Sequence, residues 1–228
     1  MLYGYGTVIL QGTLTTINLA VLSVTIAIGI GLGVACCKLF APGWARMLAS
    51  LYTTLIRGVP DLVLMLLIFY GIQSLFNEVT GLLQTEIVNI DPFSAGVLTL
   101  GFIYGAYFAE TFRGAFMMVP KGQLESGLAF GFSPWQVFRL ILFPQMMRHA
   151  LPGIGNNWQI TLKATALVSI IGLADLVHAT QAAGKATYQF LTFSLLAAAI
   201  YLMLTTISNL LLRYLERRYS IGIKQYSI

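Results

Sequence analysis

Apolar residues run along this chain in long blocks. Five windows, at 13–37, 59–77, 94–117, 151–173 and 188–212, are mostly apolar. Each is close to the roughly 20 residues that a helix needs to cross a bilayer. The fourth is the least apolar, because Asn156, Asn157, Gln159 and Lys163 fall inside it. None alternates with a two-residue period, and all are far longer than a barrel strand of about ten residues, which excludes a transmembrane β-barrel. The pattern predicts an all-α membrane protein of about five transmembrane helices, with one membrane domain over 13–212 and a polar tail over 213–228.

The stretch from Gly122 to Pro144 breaks this pattern. Lys121 to Phe130 has helical composition, and Gly131 is placed to stop that helix in the left-handed conformation. Ser133 then stands as an N-cap, with Pro134 at the first helical position and Gln136 completing a capping box. A second helix is expected to run to about Phe143 and stop at or near Pro144. The helix pair carries Leu128, Phe130, Phe132, Trp135, Phe138 and Ile141 among polar neighbours. So many large apolar groups in a loop call for a cover, and either the bilayer interface or a partner protein would serve.

Composition supports the membrane reading. The chain is 57% hydrophobic and 9% charged, against about 25% charged in a soluble domain. Its net charge of +5 does not point to nucleic acid, since the basic residues fall in separate loops. Met1 to Gly12 carries no charged side chain, so no cleavable leader is expected. Cys36 and Cys37 are adjacent and form no disulfide framework.

The placement of charge gives an orientation. Lys38, Arg46 and Arg57 lie between spans one and two; Arg113, Lys121, Arg139 and Arg148 lie around the loop between spans three and four; Arg213, Arg217, Arg218 and Lys224 lie in the tail. The loop between spans two and three holds Glu78, Glu86 and Asp91 and no base. The positive-inside rule then puts the helix pair and the C-terminus in the cytoplasm and the N-terminus outside. The acidic loop would lie outside, where it could meet a soluble binding protein or simply follow the default sign of such loops.

Ionisable groups within spans are costly and face the bundle interior or a wet cavity. Glu110 in span three and Asp61 at the start of span two are candidates for a substrate path. Glu110 could instead pair with Arg113 or Lys163, and Asp61 with Arg57. Asn156, Gln159 and Lys163 recur on one helical face, which either lines a path or hydrogen-bonds a neighbour. Gly29 and Gly33 form a small-x-x-x-small face suited to close helix packing. The chain has no phosphate-binding Gly-x-x-x-x-Gly-Lys-[Ser/Thr] loop. His149 and His178 are too far apart to suggest a metal site, and no nucleophile–base arrangement is legible. No catalytic residue, metal or cofactor is therefore expected in this chain.

Glu125-Ser126-Gly127, three residues, Gly131, nine residues, Ile141, one residue, Phe143 and Pro144 resembles the EAA loop of bacterial ATP-binding-cassette (ABC) import permeases. The Glu, Gly, Ile and Pro and all spacings match; Ser126, Gly127 and Phe143 depart conservatively. Arg57-Gly58-Val59-Pro60, the run Ala106 to Gly114, Val119-Pro120-Lys121-Gly122-Gln123 and Leu162 to Leu167 resemble the polar amino-acid branch of that family. Asp61 and Ala166 depart from its usual residues. The resemblance implies a type I importer permease fold in the inner membrane, with Glu125 to Pro144 forming a coupling helix that docks on an ABC ATPase dimer. Glu125 and Gly131 would be the docking pair, with Ser126, Gly127, Ile141 and Pro144 completing the motif. It further implies a second homologous permease, a periplasmic binding protein for basic amino acids (histidine, lysine, arginine, ornithine), ATP bound only by the partner, and alternating access. An ATP-independent carrier or channel, with Glu110 and Lys163 as ion-coupling groups, is the competing reading of the residues themselves.

Overall fold

A computed structural model describes residues 4–82 and 91–219, and among them every regular element is helical. The order is α1 (Gly6–Phe40), α2 (Gly43–Gly58), α3 (Asp61–Leu82), α4 (Pro92–Met117), α5 (Lys121–Ala129) and α6 (Pro134–Val137). A π-helical turn (Phe138–Leu142) leads into α7 (Phe143–Val168), followed by a 3-10 turn, α8 (Leu176–Thr187) and α9 (Phe190–Tyr219). Four helices, α1, α3, α4 and α9, are long and apolar enough to cross a membrane. The helical run from Pro134 to Ile171 with α8, bent by 55° at the break between them, makes a fifth candidate. The five windows thus reappear, most with longer ends; Glu86 and Lys224 lie outside the described residues.

α1 and α4 form the centre of the bundle. Ser23, Ala27, Gly31 and Ala35 are buried at four-residue intervals on α1, and Gly101, Gly105 and Ala109 do the same on α4. A Cβ on Gly31 would stand 2.6 Å from Phe108 Cβ and 3.0 Å from the Ala109 backbone nitrogen; on Gly101 or Gly105 it would stand 2.7 Å from Ile26 or Ile30. The expected packing glycines, Gly29 and Gly33, meet nothing within 4 Å. They sit on the opposite side of α1, since two residues along a helix turn a side chain by about 200°. The close-packed stripe was there to be read, displaced by two positions.

Two further differences place the site. The basic segment between spans one and two is a helix, α2, which buries Ala49, Thr53 and Ile56 and leaves Trp44, Met47, Leu48, Leu51 and Leu55 exposed. Beyond α7 the chain forms α8, in a stretch outside the five apolar windows. The Asp175 carboxylate accepts from the His178 N–H at 2.8 Å as its N-cap, and the Thr16 hydroxyl oxygen accepts from the Leu176 N–H at 3.1 Å. At the start of α4, the exposed Asp91 accepts from the backbone N–H and the hydroxyl of Ser94. These bonds hold its carboxyl below the usual carboxylate range.

Gly31→Leu is expected to overpack the α1–α4 contact at a cost of about 1–3 kcal/mol, whereas Gly33→Leu should be tolerated. Thermal denaturation of the two purified variants compares them; equal melting temperatures would contradict the packing.

Candidate functional site

The coupling segment is built by local rules. The Gly131 N–H donates to the Leu128 carbonyl and the Phe132 N–H to that of Gly127, which closes a Schellman motif with Gly131 at φ +84°. The Ser133 hydroxyl accepts from the Gln136 N–H at 3.3 Å, and the Gln136 side-chain oxygen accepts from the Ser133 N–H at 2.8 Å. The expected helix, tight turn and helix are therefore present with the caps read from sequence.

The second helix does not stop at Pro144. It widens into the π turn, where the Phe143 N–H donates to the Phe138 carbonyl five residues back, and it continues into α7. Proline lacks an N–H and its ring crowds the carbonyl four residues before it. A wider turn ahead of Pro144 relieves that crowding and keeps the helix continuous.

Gly127 is buried, and a Cβ there would fall 2.6 Å from Ile141 Cδ1 and 3.2 Å from Val137 Cγ2. Gly127 and Ile141 thus hold α5 against the π turn, while Glu125, Ser126, Gly131 and Pro144 are exposed. Around them Leu128, Phe130 (85% exposed), Trp135 and Leu140 form an open apolar surface, with Trp135 stacked on Phe138 at 5.4 Å. The ends of α1 and α4 meet this segment around a cavity of about 530 Å³, lined by Phe40, Met117, Lys121, Leu124 and Leu142.

A charged cluster lies above that end. Lys38 of α1 donates to Glu110 of α4 at 2.5 Å and to the Thr53 hydroxyl of α2. Arg113 donates to the other oxygen of Glu110 at 2.9 Å. The Lys38 and Glu110 side chains are 9% and 19% exposed. Of the two pairings expected for Glu110, the one with Arg113 forms and Lys163 stays away. Asp61 accepts from the Tyr104 hydroxyl at 2.8 Å, and Arg57 stands over the Tyr107 ring at 5.5 Å. Lys38, Thr53, Thr54, Arg57, Tyr107 and Glu110 line a cavity of about 500 Å³.

The polar stripe of α7 is elsewhere. Asn156 and Gln159 line a crevice of about 240 Å³ with Asn209, Arg213 and Glu216 of α9, and Gln159 donates to Asn209 across it. Asn157 turns inward and donates to the Thr111 hydroxyl at 3.1 Å. Lys163 is exposed, on the same stripe. Glu110 and the stripe are thus not brought to one cavity. Lys38, Thr53 and Asn209 were missed; Asn209, an amide in the fifth apolar window, carried a signal. No group of three or more potential metal ligands occurs among the described residues.

Residues 26–221 match the family model described as binding-protein-dependent transport system inner membrane component. The chain is 59% identical, over 99% of both chains, to the histidine/lysine/arginine/ornithine transport system permease protein HisQ of Escherichia coli strain K12. It is 37% identical to the octopine transport system permease protein OccQ of Rhizobium radiobacter, over 97% of this chain and 94% of that protein. The fold matches a crystal structure of an amino acid ABC transporter with histidines, with TM-score 0.79 and 33% identity over 94% of this chain and 95% of that one. It also matches the MetNI methionine ABC transporter in an inward-facing form, with TM-score 0.71, 16% identity and coverage of 93% and 96%.

Lys38→Met is expected to leave Glu110 with Arg113 alone and to destabilise the bundle by about 1–3 kcal/mol, because removing one partner strands a partly buried carboxylate. Lys38→Met with Glu110→Leu should recover part of that loss. Melting temperatures in detergent measure both; a double variant no more stable than the single one would break the argument.

Proposed function

The chain belongs to the family of binding-protein-dependent transport system inner membrane components, and from that premise we propose that it moves basic amino acids inward as one half of a paired permease. It is a non-catalytic transmembrane subunit of an ABC importer: an ATPase subunit hydrolyses ATP and a binding protein delivers substrate. Histidine, lysine, arginine and ornithine are the proposed substrates, from the name of the 59%-identical relative. The partners are proposed to be a second homologous permease, an ABC ATPase dimer and a periplasmic basic-amino-acid binding protein, with lipid around the bundle. The α5–α6 end faces the cytoplasm in this reading, with the N-terminus outside and the C-terminus inside.

One observation carries the coupling mechanism: α6 runs through the π turn into α7 without a break. Gly127 packed on Ile141 fixes α5 to the same unit. A displacement imposed on the exposed Leu128, Phe130 and Trp135 surface is then delivered to α7 as a rigid movement. ATP binding closes the ATPase dimer and draws the two coupling segments together. The helices tilt from inward-open to outward-open, and hydrolysis reverses the motion. Glu125 is the polar docking contact, beside Ser126; Gly131 and Pro144 shape the surface. Asn156, Gln159 and Lys163 border the path, while Glu110 and Asp61 act through the cluster that joins α1, α2, α3 and α4. Glu110 is engaged by Lys38 and Arg113, which removes one of the two ion-coupling groups of the carrier reading.

Mild-detergent purification from the native membrane, followed by mass spectrometry and an ATPase assay, tests the assignment. A phosphate-loop ATPase and a second permease should accompany the chain; a chain that emerges alone and transports without ATP would refute it. Gly131→Val forces a β-branched residue to positive φ, at about 1–2 kcal/mol, and Glu125→Lys inverts the docking charge. Both should reduce basic amino-acid uptake at least tenfold while leaving insertion intact, a loss of about 1.4 kcal/mol in coupling. Normal uptake by both variants would remove the docking role.

A further inference from the structure

The crevice between α7 and α9 is lined mostly by polar side chains. Its walls bring the amides of Asn156, Gln159 and Asn209 to the guanidinium of Arg213, with Glu216 one turn further along α9. Gln159 donates to Asn209 and ties the two walls together. Asn156 and Arg213 have no hydrogen bond or ion pair among the described residues. Lys163, further along the same face of α7, likewise has no ion pair there. The crevice is thus rich in hydrogen-bond donors, and its nearest uncommitted charge is a cation.

This is at first sight the wrong electrostatics for a basic amino acid, whose side chain a guanidinium repels. One group on such a substrate does fit. A planar guanidinium matches a carboxylate through two parallel N–H···O bonds, and amide N–H groups can complete its coordination. Resting on the proposed function, we infer that this crevice binds the α-carboxylate of the transported amino acid, with Arg213 as its principal ligand and Asn156 as a second donor. Its volume of about 240 Å³ lies below the 300–1,000 Å³ usual for drug-sized ligands. It takes the amino-acid head and leaves the side chain outside. The crevice therefore reads what all the substrates share, and discrimination between basic side chains is made on another surface.

Equilibrium binding of radiolabelled L-arginine to the permease pair with its ATPase, held in nanodiscs without the binding protein, tests this. Unlabelled L-arginine, L-lysine and L-histidine should compete with similar strength. Agmatine, which is arginine without its carboxylate, should compete at least tenfold more weakly, as expected when a charged partner is deleted. Arg213→Gln should weaken all three amino acids by about tenfold and leave their ratios unchanged, and Arg213→Lys should recover part of the loss because the charge is kept. Arg213 is exposed, so its variants should assemble; ATPase stimulation by the binding protein checks that they do. Agmatine competing as well as arginine, a change in the ratios, unaltered binding by Arg213→Gln, or no saturable binding by a complex that transports arginine would each overturn the inference. A complex that does not transport basic amino acids at all would instead remove the proposed function.

Discussion

A helix pair in lipid gains nothing from hiding apolar surface, because the tails outside are as apolar as the side chains inside. What remains is close contact. The α1–α4 pair supplies it through Ser23, Ala27, Gly31 and Ala35 on one side and Gly101, Gly105 and Ala109 on the other. Backbone comes within reach of backbone there, so dispersion acts along the whole of that shared stretch. The other elements are then arranged around this seam. α7 packs on α4 through Gly153 against Thr111, and α8 packs on α1 through Gly12 against the Asp175 backbone. α2 reaches α4 through Tyr52, whose hydroxyl donates to the Phe102 carbonyl, and α1 through Thr53, whose hydroxyl accepts from Lys38.

Charge is placed to complement that seam. Glu110 lies where α1, α2 and α4 converge and is met by Lys38 and Arg113. A lone carboxylate at this depth would be strongly unfavourable, and two cations make it tolerable. The arrangement is specific in direction and so fixes the rotation of α1 against α4, which small residues alone leave free. The α7–α9 crevice has the opposite character: its polar groups face an opening, and two of its donors have no partner among the described residues.

Local features were legible in the sequence to a high degree. The Schellman glycine, the Ser133 and Gln136 box and the five apolar windows are all short-range patterns, and each recurs in the structure. The misreadings are of another kind. By charge count Arg46 and Arg57 mark the stretch of α2 as a basic loop, although Ala49, Thr53 and Ile56 fall on one helical face. Glycines alone do not mark the packing stripe on α1, because Ala27 and Ala35 carry it equally well. Lys38 and Glu110 are 72 residues apart, and no periodicity links two such positions. The helix stop at Pro144 failed because a proline rule that assumes an α turn does not apply where the turn before it is wider.

That wider turn has a geometric consequence. A π turn holds one residue more than an α turn, so Phe138–Leu142 acts as a one-residue insertion between α6 and α7. Each residue advances a helix by about 100°. One more residue in an α turn would rotate Trp135 and its neighbours by that angle about the axis of α7; the wide turn absorbs the residue and keeps their facing. A single deletion in this stretch would close it to an α turn with the surface still facing as before, and would bring the Pro144 ring back against the carbonyl four residues before it. The extra residue is accordingly tied to the proline that follows it, and the facing of the surface does not depend on it.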